Sequence, residues 1–489
     1  MRHRTGRVRN RRNPSRERYE YGAVLLEFAS HDSVLSGNSL PVSLSEARGG
    51  NFRGPHEEGP RLQVCLPEAD SSQEVRITAP GEPMKRILFV DDEPRVLEGL
   101  QRMLRPQRKQ WDVFFANSGE QALALLETAP FDVIVTDMRM PAMDGAMLLK
   151  QVQERFPGVV RIVLSGYYGM EAALRAVPVA HRFLSKPCDP ERLREAIERS
   201  CECSAVMTDE AARRVVAAVG ELPSLPSTSA SLMAALRDPD VGLNRVGEIV
   251  ERDVGMTAKV LQLVNSAFFG LPREITTVGM AVSHLGLDIL KQLVLSSEIF
   301  RTFQPARSIP GFSLKEFEAH SRLAANIASR LPVPARIAPS AVMAALLHDT
   351  GKLVLAARLP AQFEAALRTS LKDGRPLYAV EEDLTGTGHA EIGAYLLGLW
   401  GLPGPIVNAV RRHHRPTVTQ ESGQGPDILA ITHVADALAF ETAEELTADA
   451  PAGASLLNAD YLAEAGVAVQ LPAWRALAQE VFRNQGGVQ

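Results

Sequence analysis

The chain has 489 residues, 45% hydrophobic and 23% charged, with a formal net charge of −5. This is an ordinary globular composition, long enough for two or three domains. The small negative charge excludes a general attraction to nucleic acid or anionic membrane, leaving only a local patch able to serve either. Four cysteines in so long a chain make no disulfide framework, and no uninterrupted apolar run approaches 18 residues. A cytoplasmic protein without export signal or membrane anchor is expected.

Residues 1–83 stand apart. Eight arginines fall within the first 18 positions, no lysine precedes Lys85, and no periodicity is sustained. Disorder is expected here; a basic arm for nucleic acid is the functional alternative. Regular pattern begins so abruptly at Met84 that we read this extension as sequence upstream of the natural start.

From Met84 the pattern alternates. Short apolar runs at 86–90, 111–116, 132–136, 159–164 and 182–184 have the length of strands covered on both faces. Helix-period segments lie between and after them, at about 94–105, 119–128, 145–155, 168–177 and 190–202. Ser118 with Gln121 forms a capping box, and Asp189-Pro190 an N-cap with proline in the first turn. The expected fold is an α/β doubly wound five-stranded parallel sheet over 84–203, which binds ligands at the carboxyl ends of its strands.

The acidic residues fall at those ends. Asp91 and Asp92 follow the first strand and Asp137 the third, and three converging carboxylates repel one another unless a cation sits among them. Mg²⁺ is the natural partner of such oxygen ligands. Ser165 ends the fourth strand and Lys186 the fifth. Together they read as a phosphoryl-accepting site: Asp137 the nucleophile, Asp91, Asp92 and Asp137 the Mg²⁺ ligands, Lys186 and Ser165 contacting phosphoryl oxygen. Each alone is as well explained as a cap, a turn residue or a solvated charge; their joint occurrence at four of five strand ends is not.

The motifs ILFVDDEP, VIVTDMRMPAMDG, IVLSGY and FLSKP resemble the response-regulator receiver domain. That resemblance implies phosphotransfer from a sensor histidine kinase to Asp137, with Ser165 and Phe183 as switch residues. Phosphorylation adds about −1.5 to −2 charge, enough to order loops and shift a helical surface. The response is expected to travel through the last helix into 190–219.

After Thr208 the strand signal stops. A helical linker at 204–220, an all-α domain at 221–416 and a helical C-terminal extension at 417–489 are expected, separated by punctuation such as LPVPARIAP and GLPGP. Six of the eleven histidines lie between 320 and 433. His320, His348, Asp349, His389, His413, His414 and Asp436 form a series with the ligand chemistry of a divalent transition metal. Glycines at 351, 388 and 393 allow close backbone approach. A lone buried histidine is more often hydrogen-bonded core, the reading given to His433 and His284, and Asp349 has an ion-pair alternative in Lys352 at i+3.

The series resembles the HD superfamily of metal-dependent phosphohydrolases. Its HD-GYP branch carries a Gly-Tyr-Pro signature after the paired histidines, where this chain has Arg415-Pro416-Thr417. The segments LPSLPSTSASLMAALRDP, VGMTAKVLQLVNSAFFG, ITTVGMAVSHLG, GHAEIGAYLLGLWGLP and VRRHH, over about 215–416, resemble the HDOD family more closely. That likeness implies a regulatory output domain without established hydrolase activity, even where the histidines persist. Asn265 to Gly270 read as a helix end and packing, or a partner groove. No basic recognition helix stands out, so direct DNA binding is not expected. The sequence-level reading is a receiver that controls an HDOD surface for a protein partner, in a scheme compatible with homodimers; a receiver-controlled phosphodiesterase of a cyclic dinucleotide or nucleotide is the alternative.

Overall fold

A computed structural model describes residues 77–79 and 82–486, apart from 167–175, 177, 207–209, 218, 220, 221, 223–225, 239–240, 266–273, 296–308, 419–424 and 445–455. Ahead of the main sheet, β1 (Ile77–Ala79) and β2 (Glu82–Pro83) pair antiparallel, regular structure inside the stretch where none is expected.

The sheet contains β3 (Lys85–Val90), β4 (Trp111–Ala116), β5 (Val133–Asp137), β6 (Val160–Gly166) and β7 (Arg182–Lys186), all parallel, in the order β4-β3-β5-β6-β7. Ile87, Leu88, Val133, Ile134, Ile162 and Val163 are fully buried, the saturation demanded by helices on both faces. The chain reverses direction across the sheet at β3, so the switch-point crevice opens beside the ends of β3 and β5.

Helices α1 (Pro94–Met103), α2 (Gly119–Thr128), α3 (Gly145–Arg155) and α4 (Pro190–Val206) flank it. The capping box forms: Gln121 N donates to Ser118 Oγ at 3.2 Å and Asn117 N to Gln121 Oε1 at 2.8 Å. Glu191 N donates to Asp189 Oδ1, as the Asp-Pro start predicts. The helix expected at 168–177 lies almost wholly outside the described residues.

The remainder is helical: α5 (Glu210–Ala217), α6 (Pro226–Arg237), α7 (Leu243–Val250), α8 (Val254–Val264), α9 (Val278–Leu295), α10 (Leu314–Arg330), α11 (Ala338–Leu347), α12 (Thr350–Arg358), α13 (Pro360–Asp373), α14 (Leu377–Thr385), α15 (His389–Leu399), α16 (Gly404–Arg412), α17 (Ile428–Glu444), α18 (Ala459–Glu464) and α19 (Leu471–Gly486). Every residue of α8 is buried, marking it as the centre of its bundle. Residues Ala338–Arg358 are long and apolar enough to cross a membrane although polar residues interrupt the run; 78% of the most apolar part is buried inside the structure. Helix α17 packs against α10, α11 and α16, so the helical core continues past residue 416. Thr208 lies outside the described residues.

The two domains meet along a polar and apolar seam. Helix α4 of the sheet domain packs on α15, and at the start of β7 Arg182 donates to Gly398 O (2.7 Å) and Leu399 O (3.2 Å) at the end of α15. Gln262 Nε2 of α8 donates to Ala180 O and His181 O. Arg161, fully buried, donates to the carbonyls of Val179, Val159 and Ala217. Burial lowers its pKa to about 9. His181 Nδ1 accepts from Arg161 N at 3.0 Å. Its proton therefore resides on Nε2, which donates to Ala217 O at 2.9 Å. The last carbonyl of α5 is thus held by two side chains of the sheet domain.

Candidate functional site

At the switch point, Asp91 and Asp137 are buried while Asp92 is exposed at the mouth. Glu93 N donates to Asp91 Oδ1 at 3.0 Å and Arg139 N to Asp137 Oδ2 at 2.5 Å, fixing both carboxylates. Lys186 Nζ lies 2.5 Å from Asp91 Oδ2 and also bonds Asp137 Oδ1. Burial works against the lysine charge, but Asp137 and Asp91 outweigh it and raise its pKa.

Gly145 explains how α3 reaches this crevice. A Cβ there would stand 2.2 Å from the Asp137 carbonyl oxygen, so the helix start rests on the backbone of Asp137 only because the position is glycine. Ser165 pairs in register with Ser185, one residue before Lys186; its side chain lies outside the described set. Phe183 is buried on β7 opposite Val163. The oxygen-only carboxylate set fits Mg²⁺.

In the helical domain all seven expected residues converge. His348 and Asp349 sit where α11 meets α12, His389 begins α15, His413 and His414 end α16, His320 comes from α10 and Asp436 from α17. Asp436 thus closes the cluster from the C-terminal extension. His348 Nε2 lies 3.3 Å from both Asp349 Oδ2 and Asp436 Oδ1, and His320 Nε2 lies 3.1 Å from Asp436 Oδ1. His389 Nε2 is 3.1 Å from Asp349 Oδ1 and 2.8 Å from His414 Nε2. Three groups, Asp349 with His389, His413 and His414, His320 with His348 and Asp349, and His348 with His413 and Asp436, each bring one ligand atom per residue within 4.8 Å of the others.

The outer faces of the rings are equally ordered. His348 Nδ1 meets Ala345 O and His413 Nδ1 meets Val410 O, both at 2.7 Å, and His389 Nδ1 meets Glu381 Oε2 at 2.6 Å. A proton held on each Nδ1 leaves each Nε2 facing inward, the arrangement of metal-ligating imidazoles. His413 Nε2, 3.8 Å from Asp349 Oδ1, is buried without a hydrogen-bond partner among the described residues, and Asp349 Oδ1 has the inward His389 Nε2 beside it at 3.1 Å. Buried polar atoms are rarely left so, and a divalent transition metal fits this mixed nitrogen and oxygen set.

Without a cation, protons supply part of the positive charge that the buried carboxylates demand. Burial disfavours charge throughout, yet Asp349 and Asp436 together push His348 up to about 10, and Glu381 helps push His389 up to about 9. Burial and neighbouring imidazoles drive His413 down to about 3 and His414 well below its ordinary value. Both aspartates stay well below the usual carboxylate range despite burial, His348 being the main stabilising charge. The cluster therefore favours two positive charges amid its carboxylates.

Some contributors are not among the seven. Lys352 Nζ lies 2.5 Å from Asp349 Oδ2, so the i,i+3 pairing coexists with the cluster. Helix α14 supplies Glu381 and also Tyr378, whose ring stacks on His414 at 4.5 Å. The one available signal was a carboxylate beside Val380 on the Leu377 face of α14. His433 is hydrogen-bonded core: its Nε2 accepts from Asn458 N and its Nδ1 donates to His413 O. His284 is exposed. Asn265 ends α8 and bridges to Ile275 through both N and O, a structural role; Ser266 to Gly270 lie outside the described residues.

Residues 87–198 match the response regulator receiver domain and residues 222–416 the HDOD domain. The chain is thus a response regulator joining a receiver to an HDOD domain. It is 28% identical over 221 residues to an uncharacterized protein of Treponema pallidum, covering 45% of this chain and 43% of that one. It is 36% identical over 125 residues to the hydrogenase transcriptional regulatory protein HoxA of Cupriavidus necator, 25% of each chain. The chain spans less than half the length of these relatives. Among solved structures it is similar to the MmoQ response regulator of Methylococcus capsulatus, at 22% identity and a TM-score of 0.41, over 51% of this chain and 93% of that one.

Proposed function

We propose that Asp137 accepts a phosphoryl group from a sensor histidine kinase and that the receiver thereby sets the state of an HDOD output domain that acts on a protein partner. The observation that carries this reading is the convergence of Asp91, Asp137 and Lys186 at the switch point. Asp137 Oδ attacks phosphorus in line with the leaving group of the donor, and Lys186 neutralises the incoming phosphoryl oxygen. Asp91, Asp92 and Asp137 would hold Mg²⁺, which would supply charge neutralisation when bound. The strand bearing Lys186 begins at Arg182, bonded to α15, and α15 begins at His389. Phosphoryl chemistry and the histidine cluster therefore share two rigid elements.

Incubation with acetyl phosphate and Mg²⁺ tests the switch. Uptake of one acid-stable, hydroxylamine-labile phosphoryl is expected in the native chain and none in Asp137→Asn; labelling of the variant would place the acceptor elsewhere.

The second reading, a metal-dependent phosphodiesterase, is favoured by the inward Nε2 set and by His413 Nε2, buried without a partner among the described residues. It is separated from a non-catalytic metal-binding module by metal analysis combined with hydrolysis of a cyclic dinucleotide. Metal-dependent turnover lost in both His348→Ala and Asp349→Ala establishes the hydrolase; stoichiometric metal without turnover establishes the module.

A further inference from the structure

We propose that Glu381 is a positioning residue that locks His389 with its Nε2 aimed into the cluster; this rests on the metal reading above. Glu381 comes from α14, which ends at Gly386 in the left-handed region (φ 74°) and turns back through Thr387 and Gly388 onto the start of α15. One oxygen, Oε2, accepts from both the backbone N (2.8 Å) and the ring Nδ1 (2.6 Å) of His389. The main chain and the imidazole of one residue are therefore tied to a single atom, which fixes the ring's rotation about its side-chain bonds. The other oxygen, Oε1, is buried without a hydrogen-bond partner, so nothing competes for this carboxylate.

A helix-capping role alone does not explain the choice. Serine or asparagine caps a helix start without a buried charge, whereas this carboxylate is 1% exposed. A buried carboxylate is tolerated where strong hydrogen-bond donors replace water, and the two short N–H contacts from His389 to one oxygen are bonds to a charged acceptor. An imidazole whose Nδ1 faces a carboxylate presents a more basic Nε2, and that atom lies 3.1 Å from Asp349 Oδ1 and 2.8 Å from His414 Nε2. Glu381 touches none of the atoms into which the site opens; it acts through His389.

The test uses the full chain and Co²⁺, with Glu381→Ala and Glu381→Gln compared against Glu382→Gln, which alters the adjacent carboxylate that bonds Arg415. Co²⁺ titration should weaken about 10–100-fold in Glu381→Ala, with a shifted visible band, and less in Glu381→Gln, which keeps an acceptor. Glu382→Gln should match the native chain, and circular dichroism identifies any variant that fails to fold. Selective ¹⁵N-histidine spectra of the metal-free chain provide a second readout: a downfield, carboxylate-bonded His389 Nδ1 proton is expected, and its loss in Glu381→Ala. Native-like Co²⁺ binding in folded Glu381→Ala overturns the assignment. If the native chain binds no Co²⁺, the metal reading fails, and the His389 proton signal alone decides the role of Glu381: unchanged in Glu381→Ala, it overturns the role.

Discussion

Arg182 donates to the Gly398 carbonyl at 2.7 Å, joining the first residue of β7 to the last turn of α15. A guanidinium at a helix C-terminus meets both unsatisfied carbonyls and the negative end of the helix dipole. Arg182→Met should therefore cost about 1.5–3 kcal/mol, the range for hydrogen bonds to a charged group. Urea midpoints measure the loss. Amide exchange should rise at Trp400, Gly401 and Leu402 in the same variant, and unchanged exchange there would contradict a seam held by this contact.

The same tie makes a prediction about signalling. Beryllofluoride with Mg²⁺ mimics the phosphoryl on Asp137, drawing Lys186 from its two carboxylates toward the added fluorines. The displacement acts on β7, so exchange along α15 should change in the native chain and respond less in Arg182→Met. An identical response in the variant would assign the coupling to α4 packing alone.

His181 makes the seam sensitive to acid. Burial chiefly, and then the charges of Arg161, Lys259 and Arg182, hold its pKa well below 6.5, while its bond to Ala217 O opposes them only in part. Above pH 6.5 neither folded nor unfolded chain carries this proton, so the residue adds no pH dependence. Below it the unfolded chain takes up a proton that the folded state resists, and stability falls by up to about 1.4 kcal/mol per pH unit. His181→Gln should show a shallower decline in urea midpoint between pH 7 and pH 5 than the native chain. Parallel curves would show that other groups carry the acid dependence.

The convergence of Asp91, Asp137 and Lys186 was legible because strand ends are local in sequence: each residue follows an apolar run that names its own strand. The histidine cluster was legible as a series, since its residue types are unusual on apolar helices. Glu381 was not, because a glutamate on an amphipathic helix ordinarily faces water, and only the turn at Gly386 folds it onto His389. The seam was equally silent. Arg161 interrupts an apolar strand run, and nothing local reveals that its partners lie on loops and on Ala217, 56 residues away.

Gly351 gives the sharpest test of how the cluster is built. It follows Asp349 by two residues on α12, and a Cβ there would stand 1.9 Å from the His389 carbonyl oxygen, 2.7 Å from its carbon and 2.9 Å from Gly393 N. All three are backbone atoms of α15, so no rotamer change relieves the clash. Helices α12 and α15 must separate, and with them Asp349 and His389, now 3.1 Å apart through Oδ1 and Nε2. Gly351→Ala should thus destabilise the helical domain by about 1–3 kcal/mol through overpacking, against the gain that alanine gives an ordinary helix position. Metal affinity should fall with it, while acetyl phosphate labelling of Asp137 persists because the receiver keeps its own core. Gly393→Ala, on the opposite face of the same contact, places its Cβ 2.9 Å from Gly351 N and should reproduce the effect. A Gly351→Ala chain with native stability and native Co²⁺ binding would mean that the two helices do not need this backbone approach to assemble the site.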